Sequence, residues 1–168
     1  MRGVLVIAHG SRAKETEAAL EAVVAMAETK LSKKRKAGSC ARRKAEPGAE
    51  PAAESCAEPG VDPAAEMPGR TGICFECAFM EFSDRTIEKG VSALIAKGVT
   101  EIIIAPYFLF MGVHMKEDIP DMVAHCAASY PGVKIIMGEP LGVDERLADI
   151  LADRIMEGQD ELFWKNSL

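Results

Sequence analysis

The sequence predicts an α/β fold: an open, mainly parallel four-stranded sheet with helices on both faces, plus a disordered insertion. Two patterns carry that prediction. Four short runs rich in apolar and branched residues (Val4–Ala8, Ile73–Met80, Glu101–Ala105 and Val133–Met137) read as strands covered on both faces. After each run comes a stretch with apolar residues at helical spacing, and alternation of that kind calls for parallel strands joined by right-handed crossovers.

Val4–Ala8 ends at His9, Gly10 and Ser11. Ser11 is the expected N-cap of a helix over Ala13–Leu31, whose Ala19, Leu20, Val23, Val24, Ala27 and Leu31 form one apolar face. At Ser32 the composition changes. A basic block (Lys33–Lys36, Arg42–Lys44) precedes acids at Glu46, Glu50, Glu54, Glu58, Asp62 and Glu66, with Pro47, Pro51, Pro59 and Pro63 directly after four of them. Prolines at that spacing defeat a helix, and Ser32–Arg70 has almost no large apolar side chain to offset ordering entropy. This segment is therefore expected to be a disordered or weakly structured insertion in a single domain spanning 1–168.

Ile73–Met80 is the second strand, with Glu81 after it. The helix Arg85–Lys97 carries Ile87, Val91, Leu94 and Ile95 on one face, with Gly98 as its C′ residue. The third strand, Glu101–Ala105, stops at Pro106. It hands over to an aromatic and aliphatic loop (Tyr107–Gly112), then His114, then a helix over Glu117–Tyr130. Val133–Met137 is the fourth strand, and Val143–Met156 the last helix, with a tail through Trp164 left unassigned.

In such a sheet, ligands bind beyond the carboxyl ends of the strands. His9, Glu81 and His114 follow strands one, two and three, so three metal-competent groups fall on one rim. Consecutive residues of the Tyr107–Met111 loop cannot all point inward, so some are expected to line a pocket for a flat apolar ligand. Asp118 has a structural reading, an acid at a helix N-terminus.

The 168 residues carry a net charge of −6, which argues against a general nucleic-acid partner. No apolar run approaches a membrane span. The N-terminal run is short and leads into polar residues, unlike an export signal, and an odd count of five cysteines suits a reducing compartment. A cytoplasmic protein with no membrane partner is expected. Cys74 and Cys77 form a CxxC, a common metal-cluster element to which Cys40 and Cys56 could add two ligands. Residues three apart in a strand point to opposite faces, however, so buried apolar packing is expected instead.

The segments HGSR (His9–Arg12), AFMEF (Ala78–Phe82), PYFLFMGVHMKEDIP (Pro106–Pro120) and EPLG (Glu139–Gly142) together resemble the small sirohydrochlorin chelatases, class II tetrapyrrole metal chelatases. The resemblance covers about 1–31 and 73–155. It implies a chelatase-like half fold and insertion of Co²⁺, with Fe²⁺ or Ni²⁺ as alternatives, into sirohydrochlorin for cobalamin, siroheme or a nickel tetrapyrrole. It also implies His9 and His114 as the metal-binding pair, Glu81 as an accessory acid, the metal as substrate with no permanently bound cofactor, and a homodimer around the active site. The residue chemistry agrees: imidazole binds these ions yet exchanges them, and Glu81 or a neutral histidine can accept pyrrole protons. For the substrate's carboxylates, Gly10 and Ser11 offer backbone N–H groups, and Arg12 and Lys116 offer charge. Tyr107 and Phe108 offer apolar cover. Two rival functions remain. One is a non-catalytic metal carrier using the cysteine-bearing insertion. The other is a histidine phosphatase, against which Ala8 stands where such enzymes place arginine.

Overall fold

The computed structural model describes residues 1–13, 15–42 and 72–165. The strands are β1 (Arg2–Ala8), β2 (Ile73–Phe79), β3 (Glu101–Pro106) and β4 (Lys134–Met137). The helices are α1 (Glu15–Arg42), α2 (Ile87–Ala96), α3 (Ile119–Ser129) and α4 (Glu145–Lys165), and a single π-helical turn, His114–Asp118, leads into α3. The sheet order is β2-β1-β3-β4, and all three pairings are parallel. All four predicted strands and the open parallel topology are present.

Alternation along each strand sorts side chains between two layers. Leu5, Ile7, Ala78, Ile102 and Ile104 face α2 and α3 and join Ile87, Val91, Leu94, Ile119 and Cys126 in the main core. Val6, Ala8, Phe75, Cys77 and Phe79 face the other way, against Leu20 and Val24 of α1. Each fully buried large aliphatic side chain contributes about 1.5–3 kcal/mol, so the α2–α3 layer supplies most of the hydrophobic stabilisation. Thr86 caps α2, its hydroxyl accepting from the Lys89 N–H. Gly98 is the C′ residue as expected, at φ +79, a conformation that glycine adopts without strain.

Three boundaries differ from the sequence reading by more than two residues. α1 runs eleven residues beyond Leu31, to Arg42, so Ser32–Arg42 is helix rather than irregular insertion. Lysine and arginine are good helix formers, and the first proline comes only at Pro47. The rest of the expected insertion, 43–70, lies outside the described residues. The third helical segment starts at His114 rather than Glu117, through the π turn. The last helix continues through the unassigned tail to Lys165. No helix among the described residues is long and apolar enough to cross a membrane.

Candidate metal centre at the strand-end rim

The β1–β2 ladder does not stop where the strands do. Met80 donates its N–H to the Ala8 carbonyl, and Glu81 to the His9 carbonyl, both at 3.0 Å. His9 and Glu81 therefore stand side by side on one hydrogen-bonded ribbon. Gly10 makes that closeness possible. Its φ is +96, and a Cβ at this position would lie 2.0 Å from the Glu81 carbonyl oxygen.

His114 arrives from the other side. After β3 the chain crosses the rim and enters the π turn, where the Ile119 N–H bonds back to the His114 carbonyl. Such five-residue turns recur at functional sites. The His114 ring lies edge-on to that of His9, with centroids 5.0 Å apart and planes at 74°. Among the described residues, His9, Glu81 and His114 form a potential metal-binding group, their ligand atoms all within 4.8 Å of one another. A divalent ion held at about 2.1 Å by each ligand needs donor atoms about 3–3.5 Å apart, a gap that side-chain rotation closes. His9 and Glu81 are exposed and His114 half-buried, so the group is open to solvent.

Sequence reasoning missed a fourth member. The Asp118 carboxylate lies 2.6 Å from His114 Nδ1. With Nδ1–H donating to Asp118, Nε2 keeps its lone pair for a metal, the usual way an outer carboxylate orients a ligating histidine. The signal was in the sequence: His114 and Asp118 are four apart on a helical turn, where side chains meet.

Two hollows flank the trio. One of about 380 Å³ is lined by Met80, Glu81, His114, Asp118, Asp121 and Met122. The other, of about 270 Å³, includes His9, Gly10, Leu20 and Tyr107. Tyr107 thus stands beside the site. Phe108 is half-buried and packs on the main core, whereas Leu109, Phe110 and Met111 are exposed. Arg12 lies over the Phe82 ring at 5.2 Å, a cation–π contact, and Phe82 holds φ +60. That backbone is strained for a bulky residue, a condition that concentrates at functional sites. Lys116 is exposed on the π turn. Ser11 is not the N-cap of α1, which begins at Glu15. Its hydroxyl accepts from the Ala13 N–H at 3.1 Å, so the Gly10 and Ser11 N–H groups belong to a loop and not to a helix terminus.

Cys74 packs toward the α2–α3 core and Cys77 toward α1, so this CxxC cannot clamp one ion. Burial pushes the thiol pKa of Cys77 up, against a smaller opposite effect from Arg85, and burial likewise raises that of Cys126. The side chains of Cys40 and Cys56 lie outside the described residues.

A family model described as CbiX matches residues 68–158, more than half of the chain. The chain belongs to the CbiX family. The matched span takes in Glu81, His114 and Asp118 but stops short of His9. Over 82 residues the chain is 45% identical to the sirohydrochlorin ferrochelatase of Priestia megaterium, a stretch that spans 49% of this chain and 31% of that protein. It is 40% identical to the sirohydrochlorin cobaltochelatase of Sulfurisphaera tokodaii over 82 residues, 49% of this chain and 65% of that one. The chain thus matches less than two thirds of the length of either relative. Among solved structures, the sirohydrochlorin chelatase SirB of Bacillus subtilis subspecies spizizenii in complex with cobalt aligns with TM-score 0.57 at 25% identity, over 93% of this CbiX-family chain and 50% of SirB. A CbiX protein of Marinobacter aquaeolei shares the fold at TM-score 0.57 and 20% identity, over 96% of this chain and 99% of its own.

Proposed function

We propose that this chain inserts a divalent metal, Co²⁺ first and Fe²⁺ or Ni²⁺ as alternatives, into sirohydrochlorin. The observation that carries the reading is the convergence of His9, Glu81 and His114 within 4.8 Å at the strand-end rim. Two imidazoles and a carboxylate bind first-row ions but release them to stronger nitrogen donors. As the ion enters the macrocycle two pyrrole N–H protons must leave, and Glu81 or the departing histidine takes them up. Asp118 keeps the His114 Nε2 lone pair directed outward. Arg12, Lys116 and the Gly10 and Ser11 N–H groups meet the substrate carboxylates, while Tyr107 and Phe108 give apolar cover.

The exposed Leu109, Phe110, Met111 and Val113 form an apolar patch beside the site, and such patches mark interfaces. A wide, flat macrocycle needs cover on both faces, which supports a two-fold homodimer with facing rims. In this reading 1–168 is one cytoplasmic chelatase domain interrupted after α1, at 43–70, with no nucleic-acid or membrane partner and no resident cofactor.

The test is anaerobic incubation with sirohydrochlorin and each of Co²⁺, Fe²⁺ and Ni²⁺, followed by absorption. The expected result is metal insertion above the uncatalysed rate, reduced at least tenfold by His9→Ala and by His114→Ala with little change in melting temperature. The reading fails if no metal is inserted above background, or if both histidine variants keep full activity. Metal binding that disappears when 43–70 is deleted would favour the carrier instead.

A further inference from the structure

Phe82 holds a backbone conformation that its side chain disfavours. Its φ is +60, and among the described residues every other positive φ belongs to a glycine. A bulky residue in that left-handed region carries strain, which persists only where the surroundings impose it. Burial does not account for it, because the ring is 55% exposed and belongs to neither layer of the core. The loop that carries the ring is pinned on both sides. The Glu81 N–H donates to the His9 carbonyl at 3.0 Å, and the Phe79 N–H to the Arg85 carbonyl at 2.8 Å. The Arg85 N–H donates in turn to the Ser83 hydroxyl at 3.2 Å.

What the ring meets is Arg12, whose guanidinium carbon lies 5.2 Å from its centroid. Arg2, Arg85, Arg146 and Arg154 each hold a carboxylate at 2.5–2.6 Å. Arg12 is exposed, and among the described residues it has no carboxylate partner. A guanidinium resting on an aromatic face keeps its N–H donors available for a bidentate bond to an anion. Arg12 follows His9 by three residues and Phe82 follows Glu81 by one, so the pair rides on the two turns that carry the metal ligands.

We infer that Phe82 is a positioning residue: its ring holds the Arg12 guanidinium at the rim, ready for a carboxylate of the flat, polyanionic substrate. The inference rests on the sirohydrochlorin reading and deepens it, naming the side chain that prepares one of the cations. A free arginine samples many rotamers, and ordering it before the substrate arrives removes that cost from binding. The strained backbone belongs to the same device. Relaxing φ into the ordinary negative range re-aims the Cα–Cβ bond relative to Glu81 and takes the ring away from Arg12.

The test measures metal insertion into sirohydrochlorin at varied substrate concentration, Co²⁺ affinity by titration, and denaturant midpoints, all on the full chain. Phe82→Leu removes the π face and should raise KM about two- to fivefold, the effect of an exposed cation–π contact, with kcat and Co²⁺ affinity unchanged. Phe82→Trp should keep the wild-type KM. Arg12→Gln should raise KM more, and adding Phe82→Leu to it should change nothing further, since the ring acts only through Arg12. Phe82→Gly should denature at a higher midpoint than Phe82→Ala, because only glycine sits at φ +60 without strain. An unchanged KM in Phe82→Leu, additive effects in the double variant, or a lower midpoint in Phe82→Gly than in Phe82→Ala would each overturn the inference. Any of these in an enzyme that still inserts metal sinks the positioning role alone. A wild type that inserts none removes the chelatase reading and this inference together.

Discussion

His9 is held by backbone and His114 by a side chain, and the difference decides how each half of the rim tolerates change. On the β1–β2 side, the ladder bonds from Met80 and Glu81 hold the two main chains that carry His9 and Glu81 at the strand spacing of about 4.8 Å. On the β3 side, the Asp118 contact aims the ring from a half-exposed π turn. The backbone half is sensitive at the residue that lets the two main chains touch. The side-chain half is sensitive at the one carboxylate that aims the ring.

The largest effect should come from Gly10→Ala. The added carbon meets the Glu81 carbonyl and the residue is left at φ +96, so the His9 and Glu81 turns must separate. A loss of about 2–3 kcal/mol of stability is expected, read by denaturant midpoint, together with most of the metal affinity. A variant with an unchanged midpoint would show that the two turns are not locked. Next comes Asp118→Ala, for which Co²⁺ titration should show about 10–100-fold weaker binding with stability nearly unchanged. Asp118→Asn can still accept from Nδ1–H and should recover part of that loss. Equal affinity in wild type and both variants would remove the side-chain half of the comparison.

Ser11→Ala tests the backbone half more gently. The hydroxyl supports only the turn after Gly10, through the Ala13 N–H, so about 0.5–1 kcal/mol is expected with metal affinity intact. The smallest effect concerns charge. Arg146 holds the Asp144 carboxyl down to about 2, from 3.8. A depressed folded pKa gives a contribution fully present above the unfolded value and lost as pH falls toward 2. Wild type and Asp144→Asn should therefore differ in α4 helicity by circular dichroism at pH 5 and converge near pH 2. Curves that stay parallel through that window would rule out the carboxylate as the source.

The strands were legible because apolar runs bounded by Pro106, Pro131 and glycines leave few alternatives. His9, Glu81 and His114 were legible together because parallel order puts strand ends on one rim. Asp118 was read only as a dipole partner, since a helix start at Glu117 put His114 outside the helix. Restoring the π turn puts the two residues on one surface. The role of Gly10 was not visible at all, because the oxygen it avoids belongs to a residue 71 positions away in sequence. α1 and α4 were cut short for a common reason: apolar periodicity weakens at Ser32 and after Met156, while charged, straight-chain residues can carry a helix on without it. Ile103 stands exposed in a run that composition alone reads as buried, because composition cannot say which end of a sheet face a helix covers.

The α1-to-β2 connection, residues 43–72, joins the sheet at the start of β2, whereas His9, Glu81 and His114 lie past the strand ends. Seven residues of strand, about 23 Å at 3.3 Å each, separate that junction from the rim. Doubling the length of a loop adds only about 0.6 kcal/mol of closure entropy. The junction is therefore a natural graft point: an affinity tag, a fluorescent domain or a second enzyme can be spliced there while the rim keeps its geometry.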